Sequence, residues 1–421
     1  RRYEIVIGRR RKKGFFLTER RAEPGTVFVR AARALLWSRL EGDDARQRLE
    51  ADAAWLAGNQ SRSGGWGYGP GHPVTRQRPE WTDNANTLMA VMALRGAAMA
   101  GVDVPRATWS RLMEYWRAAQ NRDGGWGWTP AKGSGLKLKS SGYGSMTAGG
   151  VVISRILAER LLAGDLDEEG EAAISDLRRA QRDGLAWLSE HPKVETNPGW
   201  IWGDYENWAV FYLYALSRAA HSAGLDEFGD APWHRKLASH LVSVQKRDGS
   251  WAGSEDQGSS EDPVVRTAFA LLTLARSNAP LLLSKAASGD EDPHWLDAQN
   301  LAAWFSAADG RTVAWRRADP DDPAEKIAEA ALTYVVWPED GADQRKASNL
   351  VRRLRLKGRT VIVRVADANE AMESCRRTLA KETDAAVSGR LPAGHGVYSA
   401  RFAVKTDNLP PLAGVDRKSV V

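Results

Sequence analysis

Apolar residues recur at helical spacing through residues 27–316. Leu49, Ala53 and Leu56 fall on one face of a predicted helix, as do Leu112, Tyr115 and Ala119, with polar residues on the other faces. Alternating with these amphipathic segments are stretches apolar nearly all round, at 88–100, 151–162, 208–219 and 264–275. Helices of the second kind are buried on most sides. Weaker helical patterns at 27–40 and 293–307 extend the region at both ends, giving roughly ten helices.

The junctions between the two kinds repeat. Leu56, Gln60, Gly64 and Trp66 have the same spacing as Trp116, Gln120, Gly124 and Trp126, and as Leu241, Gln245, Gly249 and Trp251. A degraded copy runs from Trp187 to Trp200, with His191 in the place of glutamine. The glycines stop the first helix, because glycine tolerates the left-handed terminal conformation. Polar residues then open the next helix: Thr82, Asp83 and Asn84; Ser145 and Thr147; Glu206 and Asn207; Asp262 before Pro263. The unit is an outer amphipathic helix, a Gly-Trp turn and an inner apolar helix. Stacked in a ring, such hairpins bury the inner set, so the predicted fold is mainly α, an α/α toroid of helical hairpins. Six hairpins close a full ring, so ten helices leave this one incomplete.

After Trp315 the pattern changes. Residues 317–324, rich in Asp and Pro, read as a linker. Strands are predicted at 331–337 and 360–365, and helices at 343–356 and 368–381, with Gly358 as a stop. Strand–helix–strand–helix order implies a smaller, truncated α/β doubly wound domain over 325–415.

Composition changes this picture little. Charged residues make up 27% and hydrophobic ones 43%, ordinary for a globular chain; the 18 tryptophans are the outlier. The net charge of +6 comes from residues 1–21, so the body is near neutral and no nucleic-acid partner is expected. Residues 1–26 read as a basic leader and 416–421 as an artefactual tail. No run of 18 apolar residues exists, so no membrane span is expected. Cys375 is the only cysteine, which excludes an internal disulfide and any multi-cysteine metal site. No metal and no cofactor is expected.

The Gln-x-x-x-Gly-x-Trp phrase resembles the repeat of squalene and oxidosqualene cyclases, within the terpene cyclase and protein prenyltransferase superfamily. Arg117 to Trp126, Tyr143 to Ala148 and Leu391 to His395 resemble bacterial proteins that join such repeats to an amidotransferase-like α/β domain of unknown function. The resemblance implies a toroid and a place in the bacterial cell envelope or periplasm. It does not bring the family's chemistry with it. The Asp-x-Asp-Asp acid of the cyclases is missing; Glu41, Asp43 and Asp44 form the nearest string, before an outer helix. The zinc ligands of prenyltransferases would need a cysteine, and the repeat region has none.

Two readings attach to the remaining residues. Gln60, Gln120 and Gln245 can bond open backbone groups at helix ends, with Trp66, Trp126, Trp200 and Trp251 covering the turns. The inner-helix starts gather Asp83, Asn84, Asn86, Thr87, Ser145, Thr147, Glu206, Asn207, Asp262 and Arg266, with Trp81, Trp128, Tyr143, Trp202 and Tyr205 nearby in sequence. Aromatic platforms beside carboxylates and amides suit a polar small molecule, a glycan or a peptide. N-capping accounts for Asp83, Ser145 and Asp262 singly. The function expected is therefore ligand binding in the ring without terpene cyclase activity. The alternatives are a divergent cyclase-like or polysaccharide-lyase-like enzyme, and a structural interaction module. Cys375, with His395 as its one candidate partner, reads as a structural cysteine.

Overall fold

The computed structural model describes residues 25–70, 72, 80–129, 141–162, 168–199, 208–228, 231–251, 263–287, 295–309, 312–338, 341–357, 360–365, 387–390 and 401–404. The chain forms two compact units, 1–115 and 116–421.

The first unit holds α1 (Val27–Trp37), α2 (Asp43–Gly58), α3 (Asn84–Met99) and most of α4 (Arg106–Arg117). Asp43 and Asp44 sit in the first turn of α2, where the helix dipole favours negative charge. Helix α1 packs on α2 and α3. Asp52, wholly buried on α2, fastens that packing: it takes Arg30 Nη1 at 2.7 Å and Arg33 Nε at 3.0 Å. Helix α3 is buried almost all round, as its composition predicts.

The second unit continues the alternation with α5 (Gly144–Leu162), α6 (Glu168–Glu190), α7 (Ala209–Ala223), α8 (Trp233–Ser243) and α9 (Pro263–Ser277). A two-residue ribbon, β1 (Glu227–Phe228) and β2 (Ala231–Pro232), precedes α8. Helix α5 packs on both α6 and α7. Gly224 ends α7 in the left-handed region at φ 64, and Leu225 N–H closes back onto Ala220 O at 3.0 Å. Helix α9 departs from the expectation of all-round burial: it packs on α7 and α8, but Val264, Leu271 and Leu272 are each about half exposed.

The α/β part begins earlier than the sequence predicts. Strand β3 (Leu281–Ala286) follows α9 directly, inside the range 27–316 assigned to helical hairpins. Helix α10 (Asp297–Asp309) is accordingly no ring helix; it packs on β3 and β4 (Ala314–Ala318). The segment 317–324 is a connection within this part, not a linker before it: it runs from β4 into α11 (Ala324–Ile327). A six-residue apolar run does not distinguish a strand from a helix end, and that ambiguity hid β3. Strand β5 (Leu332–Trp337), helix α12 (Gly341–Leu356) and strand β6 (Thr360–Val365) match the predicted segments closely. Strands β7 (Val387–Arg390) and β8 (Arg401–Val404) complete a sheet of order β4-β3-β5-β6-β8-β7. The first four strands run parallel, as predicted, and β8 joins β6 antiparallel. One apolar cluster joins α10 to one face of the sheet through Leu301, Phe305, Trp315 and Leu332. Another joins α12 to Val335 and Trp337. The predicted helix 368–381, Gly358, Cys375 and His395 lie outside the described residues.

Candidate functional site

The Gly-Trp turn is built the same way three times. Gly64, Gly124 and Gly249 have φ of 98°, 82° and 83°, conformations that side chains resist. Their N–H groups donate to Ser61, Asn121 and Lys246 carbonyls at 2.9, 3.1 and 2.9 Å. The glutamine side chain closes the loop: Nε2 of Gln60, Gln120 and Gln245 donates to the carbonyls of Gly64, Gly124 and Gly249 at 2.8, 2.9 and 3.0 Å. Trp66, Trp126 and Trp251 are buried beneath it. A threonine on the following helix holds each tryptophan: Thr87, Thr147 and Thr267 Oγ1 accept Trp66, Trp126 and Trp251 N–H at 3.0, 3.1 and 3.3 Å. In the degraded copy His191 turns back instead, its Nδ1 2.7 Å from Trp187 O and its ring stacked on Trp187 at 4.0 Å.

This geometry reassigns several predicted ligand contacts as braces. Thr87 and Thr147 are wholly buried pegs. Ser145 exchanges two hydrogen bonds with buried Asn197, through Ser145 N–H at 2.8 Å and Asn197 Nδ2 at 2.9 Å. Arg266 is buried, its Nε donating to Trp251 O at 2.8 Å. Asn84 Oδ1 accepts Tyr115 Oη–H at 3.0 Å. Trp128 is half-buried. Trp200, Trp202, Tyr205, Glu206, Asn207 and Asp262 lie outside the described residues.

The start of α3 is different in kind. Asp83 is wholly buried and caps the helix, Oδ1 accepting Asn86 N–H at 2.7 Å. Asn86 Nδ2 donates to Oδ2 at 2.8 Å, while Asn86 Oδ1 is buried with no hydrogen-bond partner. Burial pushes the Asp83 carboxyl up from 3.8 to about 7, against the opposing bonds from Asn86 and Ala85. Beside it, Tyr68 stacks on Trp81 at 5.1 Å and on His72 at 4.1 Å, three half-buried rings in a row. Burial and the Asp83 charge push the Tyr68 hydroxyl up to about 12. Burial also raises Tyr115, whose neighbours include Thr82 and Asp83. Sequence reading placed Trp81 and Asp83 here but missed Tyr68 and His72. The turn residues Gly69, Pro70 and Gly71 that separate those two rings were the available signal.

A second polar cluster escaped sequence reading altogether. On the face of the sheet that meets α10, buried Lys285 pairs with Asp297, which also accepts Tyr334 Oη–H at 2.7 Å. On the opposite face, a groove of about 510 Å³ lies between α12 and the loop after β4, with Asp321, Lys346, Asn349 and Arg353 on its walls.

Among the described residues no group of histidine, cysteine and carboxylate side chains is arranged to hold a metal ion. No described helix is long and apolar enough to cross a membrane. Comparison of the chain with models of known protein families gave no match, and comparison with curated proteins gave none either.

Proposed function

We propose that the Gly-Trp hairpins assemble as an α/α toroid of the squalene-cyclase-like kind, and that the protein binds a polar ligand, a glycan or a peptide, at the start of α3. The observation that carries this reading is Asn86 Oδ1, buried and unpartnered beside the Asp83 carboxyl. An unsatisfied buried acceptor costs about 1–3 kcal/mol, which a ligand hydroxyl or amide N–H would recover. The Trp81–Tyr68–His72 stack adds aromatic surface of the sort that sugar rings and peptide planes cover.

The same residues argue against cyclase chemistry. Protonating an alkene needs a strong acid, and a carboxyl near 7 is a thousandfold weaker acid, roughly, than an ordinary aspartic acid. Titration of the full chain with soluble oligosaccharides and with short peptides, followed calorimetrically, tests the reading. Trp81→Ala and Asn86→Ala should each weaken binding at least tenfold with the fold intact by circular dichroism. Absence of binding in both ligand classes would refute it. So would turnover of squalene that disappears in Asp83→Asn.

A further inference from the structure

The three Gly-Trp turns differ in what lies on their outer side. At the first, Gln60 Nε2 also donates to Thr108 O of α4 at 2.9 Å, Gly64 abuts Arg111 and Gly65 abuts the Tyr115 ring. At the second, Gln120 Nε2 also donates to Ala180 O of α6 at 3.0 Å, Gly124 abuts Asp183 and Gly125 abuts Trp187. Thr108, Arg111 and Tyr115 have the same spacing as Ala180, Asp183 and Trp187: a carbonyl, a residue three further on, an aromatic seven further on. Each filled turn is therefore a socket that reads one face of an amphipathic helix.

The third socket is built and open. Gln245 Nε2 donates to its own turn and is exposed, and a Cβ placed at Gly249 would meet nothing within 4 Å. Next to it, α9 presents Val264, Ala268, Leu271, Leu272 and Ala275 to solvent along one face. Counting from the anchoring threonines Thr147 and Thr267, the corresponding positions on α5 from Ala148 onward are buried, where α5 packs on the next hairpin, α6 and α7. The chain supplies no such hairpin after α9: β3 follows instead.

We infer that the third turn and the exposed face of α9 dock an amphipathic helix from another protein, with an aromatic residue in the place of Tyr115 and Trp187. Ser250 stands where the filled turns have their second glycine, so the docked ring rests beside its side chain and not on bare backbone. Among the described helices, those with this aromatic spacing do not supply the helix from a second copy. Helices α4 and α6 fill their own sockets. Helix α2 has Trp55 in the matching place, five residues before Gln60, but α1 packs on α2 and α3 as α5 packs on α6 and α7. Docking α2 of another copy would put its α1 where α9 stands.

The test uses the full chain and a fluorescein-labelled peptide of α6 sequence (Glu168–Glu190), followed by anisotropy. Saturable binding is expected, weakened at least tenfold by Leu271→Asp in the protein and by Trp187→Ala in the peptide. Leu356→Asp, an exposed leucine on α12, should leave it unchanged. No saturable binding at peptide concentrations on the order of 100 µM overturns the inference. So does binding indifferent to Leu271→Asp when that variant melts like the parent. A dimer seen by light scattering and dissociated by Leu271→Asp would give the face to a second copy and overturn it as well.

Discussion

The first and second Gly-Trp turns share a frame and differ in chemistry. Glutamine, left-handed glycine, buried tryptophan and threonine peg recur with the same bonds, so these residues serve the scaffold in both. At the start of the next helix the two part. The second turn has Tyr143 in the place of Asp83, followed by Ser145, which exchanges two hydrogen bonds with Asn197. The first leads to Asp83, buried, hard to ionise, and flanked by an amide oxygen with no partner. An internal repeat thus acts as its own control: what recurs is structural, and what occurs once is the candidate for function.

The largest predicted effect contrasts filled with open sockets. An alanine Cβ at Gly64 would lie 2.0 Å from Arg111 O at φ 98°, whereas at Gly249 it meets only the conformational cost. Gly64→Ala should destabilise by about 3–5 kcal/mol, overpacking plus left-handed strain, and Gly249→Ala by about 1 kcal/mol. Urea unfolding measures both. Equal losses would mean that the third turn is packed like the first.

The next effect isolates Asp83. Its folded pKa, about 7, lies above its ordinary value of 3.8, so the folded chain holds a proton that the unfolded chain releases between those two values. The group's contribution to stability is therefore greatest below about pH 4 and is lost as pH rises to 7, a change of about 4 kcal/mol at 1.36 per pH unit. Tyr68 and Tyr115, the titratable groups coupled to it, stay neutral over that window. Asp83→Asn keeps the capping oxygen and removes the titration. The parent minus variant stability difference should slope with pH between 4 and 7. Parallel curves would show that Asp83 is ionised in the fold.

Much of this frame is legible in sequence because each turn is local: glutamine to tryptophan spans seven residues, and the spacing survives three times. Asp83 is legible as a helix cap for the same reason. Its environment is not, since Tyr68 and His72 reach it through tertiary contact. Lys285 and β3 were missed on similar grounds. A lysine in an apolar run reads as an exposed break until Asp297 and Tyr334, twelve and forty-nine residues on, are seen to hold it. The open face of α9 was misread because its composition matches helices α3 and α5, which neighbours cover; composition shows that a face is apolar, not that something covers it.

The smallest effect sharpens the comparison within the frame itself. Trp66 Nε1 donates to Leu56 O at 2.8 Å and Trp251 Nε1 to Leu241 O at 2.7 Å, each ten residues back. Trp126 breaks the rule: its Nε1 is buried without a partner, and Trp116, in the place of those leucines, stacks on it at 5.6 Å with planes 15° apart. Replacing tryptophan by phenylalanine removes the N–H and part of the ring at either site. At Trp66 it also breaks a bond, leaving Leu56 O with Asn59 N–H at 3.2 Å, and adds about 1 kcal/mol to the packing loss. At Trp126 no bond is lost and an unsatisfied donor disappears, which offsets part of that loss. Trp66→Phe should therefore cost about 1–2 kcal/mol more than Trp126→Phe by urea unfolding. Equal costs would mean that the second turn satisfies its tryptophan as the first does, and that the repeats are alike at this position after all.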